Sequence, residues 1–252
     1  MAESARSTVQ SVTRAFEILE IMSSGSDDMG ISHIAEQSSL PLPTIHRILR
    51  TLVVNGYVYQ TPGRRYALGA RLIPLSRNAG GALGASLRPR LAAIAKQTHE
   101  SVSVAMLDRE FARYIAHVPS DQSMRMFAQV GNQIDLHATG VGKAMMSLLP
   151  DAEIRDLLHR TGMHAVTSET ITNIETMMVE IEHVRRRGYA MDVEEHELGV
   201  NCVAVPIHGP LLLAMSVSGP QPRMTRKTIE QLVPILVAAA DEISAELRHV
   251  ES

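Results

Sequence analysis

Three short segments at the start of the chain place apolar residues at helical spacing. They cover residues 11–24, residues 32–38, and a stretch that begins at Pro41 or Pro43 and ends at the Asn55-Gly56 pair. The third segment has apolar residues at i, i+3, i+4 and i+7, and its opposite side has no acid. A solvated helix normally mixes acids with its bases, so this side is predicted to face a negatively charged partner. The apolar set is Ile45, Ile48, Leu49 and Leu52, and the opposite set is Pro43, His46, Arg47 and Arg50.

The next segment has the pattern of a β-hairpin. Residues 57–59 and 66–68 predict two short strands, and Thr-Pro-Gly at 61–63 predicts the turn between them. Two helices, a turn, a third helix and a basic-tipped hairpin form a winged helix-turn-helix, whose third helix enters the major groove of DNA. Basic side chains donate to guanine or phosphate, and threonine can also contact a thymine methyl group. The predicted DNA contacts are Thr44, His46, Arg47, Arg50, Arg64 and Arg65.

The distribution of charge along the chain supports DNA binding more strongly than the net charge does. The 252 residues include 24 basic and 27 acidic side chains, a net charge of −3. Between Gly30 and Asn78, however, six arginines accompany a single acid, Glu36. Such a basic segment is typical of a polyanion-binding module joined to another domain. The 3% aromatic content, without tryptophan, argues against a base-stacking platform. The alternative is a three-helix packing module whose arginines are merely solvated.

The remainder of the chain predicts an α+β domain. A helix continues through residues 71–77, and three glycines between positions 78 and 84 predict a flexible joint. We therefore expect a DNA-binding domain at 1–70, a linker helix and hinge at 71–86, and an effector domain at 87–252. In the last, runs of strands flanked by helices predict a sheet with packed helices. The predicted strands are 102–107, 114–118, 124–128, 201–207 and 211–218, and the predicted helices are 87–99, 140–149, 151–160, 173–187 and 225–249.

Small and polar residues in the second domain indicate a ligand site. The sequence Thr139-Gly140-Val141-Gly142 precedes a helix, where small residues let a ligand approach and free N–H groups favour an anion. The lysine-serine pattern of a phosphate loop is absent, which favours a small carboxylate. Ser216 and Ser218 alternate along a strand and so share a face. The predicted effector contacts are Gly140, Val141, Gly142, Asp192 before a strand, Cys202 within it, Ser216, Ser218 and the adaptable Met126.

Several motifs in a consistent order resemble one family. After the helix-turn-helix come "YALG", "LHATGVGKAMMS", "GYAMDVEEHELGVNCVAVPI" and "AMSVSGP". Over nearly its whole length the chain resembles the IclR (isocitrate lyase regulator) family of bacterial transcription regulators. The resemblance implies a winged helix-turn-helix, a linker helix and a GAF-like domain that binds organic or aromatic acids at the positions above. It also implies dimers or tetramers on palindromic operators.

Two positions depart from that family's pattern. Ser39 stands at the usual turn glycine, and Leu42-Pro43 stands at the usual lysine-serine pair. The start of the third helix therefore lacks one basic donor. We expect phosphate contacts to depend more on Arg47, Arg50, Arg64 and Arg65.

The function predicted from these features is ligand-responsive DNA binding, with repression of a catabolic operon favoured. The alternative is an enzyme or sensor domain fused to a protein-interaction winged helix. The acid-free helix favours DNA over a protein partner, and no catalytic set surrounds the lone Cys202. Neither a metal nor a cofactor is predicted, since the acidic run 192–197 matches no metal spacing.

Assembly and location follow from simpler arguments. One recognition helix reads too few base pairs, so a homodimer or dimer of dimers is expected, with Ile73 and Leu75 suited to pairing. A single cysteine excludes an internal disulfide. No secretory signal or membrane-length apolar run is visible. The expected location is the cytoplasm, without a membrane partner.

Overall fold

The chain forms two compact units. A computed structural model describes residues 9–24, 28–78 and 81–249. By their contacts, the units are Met1–Ala79 and Gly80–Ser252. Among the described helices, none combines the length and apolar character needed to cross a membrane.

The first unit contains the predicted three helices and hairpin. Helix α3 begins after Pro41 and ends before Gly56, whose φ of +75° gives the left-handed end predicted from the Asn55-Gly56 pair. The four apolar residues of α3 are buried, as its spacing predicts. Helix α2 begins at Ile31, one residue before the predicted Ser32. The elements are α1 (Gln10–Ser24), α2 (Ile31–Gln37), α3 (Leu42–Val54), β1 (Val58–Gln60), β2 (Tyr66–Leu68) and α4 (Leu72–Asn78).

The second unit is built on a six-stranded antiparallel sheet, which confirms the α+β class. The strand order is β5-β4-β3-β8-β7-β6, so the first and last parts of the unit meet at the central β3–β8 pair. The strands are β3 (Ser101–Asp108), β4 (Phe111–Val118), β5 (Gln133–Ile134), β6 (Ala190–Val193), β7 (Val200–Ile207) and β8 (Leu213–Pro220). The helices are α5 (Gly81–Thr98), α6 (Gly140–Met146), α7 (Asp151–Thr161), α8 (Ile174–Arg187) and α9 (Arg226–His249).

Alternating side chains give the sheet two different faces. On β7, Val203 and Val205 belong to the core made with α5 and α9. Ala204 between them belongs to the core made with α6, α7 and α8. The α6 side also receives Cys202, Ser216 and Ser218, because they alternate with the valines and methionine of the first core. This face holds the polar residues of interest.

One predicted strand is absent, and one short strand was not predicted. Residues 124–128 form no strand; the Met124 and Met126 carbonyl oxygens accept hydrogen bonds from the side chains of Arg223 and Ser101 instead of a neighbouring strand. Asp192 precedes the strand of Cys202, as predicted, but it also lies within an unpredicted short strand, β6, directly opposite Cys202 on β7. A four-residue strand gives too short an alternation to be read from sequence.

The predicted joint at positions 78–84 also differs. Ala79 and Gly80 lie outside the described residues, whereas Gly81 and Gly84 are part of α5. A Cβ atom on Gly84 would lie 2.3 Å from the carbonyl oxygen of Ile115 on β4. Gly84 is therefore needed for the close packing of α5 against β4. The number of glycines in a segment does not show whether they serve close packing or a flexible joint.

Candidate functional site

The outward side of α3 presents basic groups that nothing nearby neutralises. We call Thr44, His46, Arg47 and Arg50 the recognition face. His46, Arg47 and Arg50 are exposed and Thr44 is half-buried. Within the described residues, neither arginine side chain has an ion pair or hydrogen bond, while the Arg47 carbonyl accepts one from Thr51. The burial of the opposite apolar stripe fixes which side of α3 faces outward.

The two hairpin arginines differ in their surroundings. Arg64 is exposed and has a φ of 58°, at the end of the turn between β1 and β2. Arg65 instead donates from Nε to the Asp28 carboxylate at 2.6 Å and from Nη2 to the Asp28 carbonyl at 2.7 Å. Arg65 thus fastens the hairpin to the segment before α2, which leaves fewer of its donors for another partner. Asp28 lies 37 positions away, so sequence spacing gave no sign of this contact.

A hollow separates the recognition face from the hairpin. Apart from Arg47 and Arg50, it is bounded by uncharged side chains and by His46, so its electrostatic potential is positive. Its lining is Pro43, His46, Arg47, Arg50, Val53, Gln60 and Tyr66. The first unit therefore offers a concave basic surface next to a protruding helix.

A small cavity lies between the polar face of the sheet and the start of α6. We call it the effector cavity, and seven of the eight residues predicted as effector contacts line it. Its unfilled space has room for about one water molecule. The lining is Tyr114, Met126, Thr139, Gly140, Val141, Asp192, His196, Glu197, Val200, Cys202, Ser216 and Ser218.

Strand register brings the distant polar residues together. Asp192 is paired with Cys202, and Cys202 with Ser218, across three neighbouring strands. Ser216 lies two residues before Ser218 and so points to the same face. Four strands, α6 and the segment around Met126 therefore contribute to one cavity, although its residues span positions 114 to 218.

Gly142 is the predicted contact that does not line the cavity. Its N–H donates to the Thr139 hydroxyl at 3.2 Å, and a Cβ atom there would lie 2.2 Å from the carbonyl oxygen of Leu136. Its small size is needed for packing beneath α6, so its role is structural. By contrast, the N–H groups of Gly140 and Val141 have no acceptor among the described residues. A Cβ on Gly140 would lie 3.1 Å from the sulfur of Cys202.

Three charged side chains at the cavity, those of Lys143, Asp192 and Glu195, are buried, whereas Glu197 is exposed. Lys143 on α6 donates from Nζ to Glu195 at 2.5 Å, and both side chains are almost inaccessible to solvent. Asp192 accepts from the N–H groups of Glu195, at 2.8 Å, and His196, at 3.3 Å. Burial raises the pKa of Asp192 to about 6, although Lys143 and these N–H groups oppose the shift. Lys143 is already paired, so Asp192 has no cation of its own in this cavity.

The cysteine thiol is not suited to nucleophilic chemistry. Burial, reinforced by Asp192, raises the pKa of Cys202 to about 12, while hydrogen bonds with Ser218 and Ser216 oppose the rise. The neutral thiol is therefore a soft part of the wall rather than a thiolate. Among the described residues, no group of three or more His, Cys, Asp and Glu side chains is arranged to hold a metal ion.

Tyr114 and His196 also line the cavity but are not among the effector contacts predicted from sequence. Burial raises the pKa of Tyr114, and the nearby Cys202 and Asp192 reinforce this, so its hydroxyl stays protonated. The signals were weak: Tyr114 alternates with Ala112 and Ala116 on β4, and His196 is one member of an acidic run. Neither pattern distinguishes a cavity residue from a packed or solvated one.

Known proteins resemble both units. The family model "IclR helix-turn-helix domain" matches residues 11–62, and "Bacterial transcriptional regulator IclR C-terminal" matches residues 82–245. The acetate operon repressor of Salmonella typhimurium strain LT2 is 35% identical over 248 residues, covering 94% of this chain and 89% of the relative.

Two solved structures have the same fold. The Thermotoga maritima IclR structure has 30% identity and a TM-score of 0.71, over 95% of this chain and 99% of that one. An IclR homologue from Microbacterium hydrocarbonoxydans, complexed with 4-hydroxybenzoate, has 22% identity and a TM-score of 0.80, with coverage of 95% and 99%.

Proposed function

We propose, from the premise that the chain belongs to the IclR family of bacterial transcriptional regulators, that its recognition face reads an operator and its effector cavity binds a small carboxylate. The family consists of transcriptional regulators, and this chain is one of them rather than an enzyme. Repression relieved by the effector is the favoured mode, and the cytoplasm is the proposed location.

The observation that carries the DNA-binding role is the unneutralised recognition face. Exposed arginines without acidic partners gain most from phosphates and from guanine edges, which accept two hydrogen bonds from one guanidinium group. Arg64, at the hairpin turn, would contact the phosphate backbone of the DNA beside the major groove that α3 enters. In this arrangement α3 supplies sequence readout, and the hairpin supplies position on the duplex.

The test is a gel-shift titration on duplexes selected from a random pool by the wild-type protein. Arg47→Ala should weaken binding at least about 30-fold, because a dimer makes the contact twice and each is worth about 1–3 kcal/mol. Arg226→Ala, in the second unit with a 90% exposed side chain, is the matched control. Unchanged affinity and site preference of the Arg47 variant would refute the role of α3.

The cavity supports a carboxylate effector through its donors. The N–H groups of Gly140 and Val141 and the hydroxyls of Ser216 and Ser218 supply four donors around one small space. Asp192 suits a hydroxyl group or a bridging water rather than the carboxylate. Because the unfilled space has room for only about one water molecule, lining side chains such as Met126 must move for any organic acid, and a short aliphatic acid requires less movement than an aromatic one.

The effector role is tested with Ser216→Ala combined with Ser218→Ala. The double variant should bind the selected duplex as tightly as wild type and lose the response to the acid that releases the wild type. The acid is found by screening two- to four-carbon acids and benzoates for thermal stabilisation. A wild-type response in the double variant would place the effector elsewhere.

A homodimer or dimer of dimers completes the proposal. Val12, Phe16, Leu72 and Leu75 line one apolar groove of the first unit, and Phe16 and Leu75 are more than half exposed. Exposed apolar side chains of this kind mark an interface. Light scattering at micromolar concentration, with and without the selected duplex, should give at least a dimer; a monomer in both conditions would contradict this.

A further inference from the structure

The first turn of α3 has no charge and almost no free hydrogen-bonding group. The sequence has no charged side chain from position 37 to position 45. Pro41 and Pro43 lack an N–H group, and the N–H of Thr44 donates to the Pro41 carbonyl at 2.8 Å. Among the described residues, only the N–H of Leu42 lacks an acceptor in this turn, and no side chain caps the helix. A phosphate would therefore meet one backbone donor and no cation here.

Two apolar residues of this turn are nevertheless exposed. Leu42 is 48% exposed, and Pro43 is exposed as well. We call these two residues the apolar tip. Pro43 lines the hollow beside α3 together with His46, Arg47 and Arg50. It precedes Arg47 by four positions, so the two side chains are neighbours on the outward side of the helix, with Cβ atoms about 5–6 Å apart.

The position of the apolar tip indicates what could cover it. A protein surface over Pro43 would also cover Arg47, whose guanidinium group has no partner among the described residues. Burying an unpaired charge is costly. The major groove of DNA suits both residues, because it offers acceptors to arginine and one apolar group, the C5-methyl group of thymine. Since the other groups on the base edges are polar, an apolar side chain gains most next to that methyl group.

We propose that the apolar tip is a specificity-determining element of α3, which contacts the C5-methyl group of a thymine in each operator half-site. Stacked base pairs are about 3.4 Å apart, so this thymine lies within about two base pairs of the guanine that Arg47 contacts. The contact depends on a methyl group and on no hydrogen bond. This inference rests on the proposed function, since it assumes that α3 enters the major groove.

The experiment removes the methyl group from the DNA and leaves the base-pairing edge unchanged. A duplex selected by the wild-type protein is made with deoxyuridine in place of one thymine at a time, at equivalent positions of both half-sites. In gel-shift titrations of the full-length wild type, one position should weaken binding about 5- to 20-fold, because each half-site loses one buried methyl group. At that position 5-methylcytosine should bind better than cytosine, which tests the methyl group in a different base pair.

The neighbouring guanine is found with Arg47→Ala. Replacement of that guanine by 7-deazaguanine, which lacks the N7 acceptor, should weaken the wild type and have little effect on the Arg47 variant. The sensitive thymine should lie within about two base pairs of it.

The protein side of the contact is tested with Leu42→Ser combined with Pro43→Ser. The double variant should bind the thymine and deoxyuridine duplexes within about twofold of each other, because it has no apolar tip. An effect of the missing methyl group on the shape of the duplex would weaken both proteins alike. Leu211→Ser, which replaces a 40% exposed leucine of the second unit, is the matched control and should discriminate as wild type does.

Circular dichroism of each variant confirms that it folds. Leu42→Ala alone should lose part of the discrimination, and it replaces the double variant if that protein is unstable. If wild type and variants lose affinity equally on the deoxyuridine duplex, the role of the apolar tip is overturned. If no thymine matters to the wild type while Arg47→Ala loses binding, the inference is overturned and the DNA-binding role of α3 stands. If Arg47→Ala binds as wild type does, both are overturned.

Discussion

The recognition face and the effector cavity are built in opposite ways. The recognition face comes from seven consecutive residues of one helix and lies in solvent. The effector cavity draws on residues from position 114 to position 218, and most of its lining is buried. In the first, helical periodicity alone decides which side chains are available. In the effector cavity, strand register and burial decide which side chains meet, and both depend on the fold of the whole second unit.

Because of this difference, substitutions in the recognition face should change DNA binding without changing stability. Substitutions in the effector cavity should change both ligand binding and stability. An exposed arginine can be removed at little cost to the fold, because water already solvates it. A cavity residue has neighbours at packing distance, and its ionisation is set by burial, as the pKa of Asp192 shows. The following experiments test this contrast, from the largest expected effect to the smallest.

Gly142→Ala should have the largest effect. Its Cβ would lie 2.2 Å from the Leu136 carbonyl oxygen, and backbone cannot move aside as a flexible side chain can. We expect a loss of at least about 3 kcal/mol in the free energy of unfolding. The measurement is urea denaturation followed by circular dichroism.

Gly140→Ala is the comparison for that experiment. Its Cβ meets the Cys202 sulfur at 3.1 Å and the Ala204 methyl group at 3.4 Å, both side chains that can adjust. It should cost about 1 kcal/mol or less and impair effector binding. Equal stability of the two variants would show that Gly142 is not required for packing.

Asp192→Asn should stabilise the protein in a pH-dependent way. The folded chain holds a proton on Asp192 between pH 3.8 and about 6 that the unfolded chain has lost. The free energy of unfolding therefore falls as pH rises through that interval, and it stays lower above it. Asparagine avoids this loss and still accepts the Glu195 and His196 N–H bonds. The gain should reach at most about 3 kcal/mol at pH 7 and vanish near pH 3.

Denaturation of both proteins across this pH range measures that gain. His159→Asn, an exposed substitution of similar size, controls for non-specific effects of an added amide. A gain of the same size at pH 3 and pH 7 would show that ionisation of Asp192 is not its cause.

Arg50→Ala should leave stability unchanged within about 0.5 kcal/mol and weaken duplex binding. If Arg50 contacts phosphate, the slope of log affinity against log salt concentration should decrease in magnitude by about 2, because a dimer makes the contact twice. Salt-dependent gel shifts combined with denaturation give both quantities. A destabilised variant would contradict the independence of the recognition face from the fold.

Arg65→Ala should give only a small loss of stability. It removes the bonds to Asp28, and an exposed ion pair of this kind contributes up to about 1 kcal/mol. Thermal unfolding of this variant beside Arg64→Ala, which breaks no ion pair among the described residues, measures the difference. Equal melting temperatures would show that the Asp28 contact does not support the hairpin.

The contrast between a local helix and a cavity built from distant residues also explains which features could be predicted from the sequence. The recognition helix was predicted with its caps and its buried side, because those signals lie within a few residues of one another. The polar set Asp192, Cys202, Ser216 and Ser218 was recognised from motifs, but their convergence on one cavity depends on register. The Lys143–Glu195 pair joins residues 52 positions apart, and spacing gives no access to it.

Gly142 shows a further limit of sequence reasoning. The sequence indicates that a small residue is needed there, but not whether a ligand or the Leu136 carbonyl occupies the space. The prediction of a strand at 124–128 was wrong for a related reason, since the pattern of residues does not show what they contact. Its apolar residues include the exposed Met124 and Phe127, whose pattern resembles a strand although no sheet edge receives them.

The close approach of Gly84 to Ile115 has a mechanical consequence. Tyr114 lines the effector cavity, and the next residue, Ile115, is unpaired at the irregularity in the β3–β4 register. Its carbonyl oxygen lies close to Gly84, the fourth residue of α5, which is the first helix of the second unit. The peptide unit of Ile115 thus lies between Tyr114, in the lining of the effector cavity, and Gly84 of α5, which has no side chain. We therefore expect a displacement of Tyr114 to shift the first turn of α5 as well.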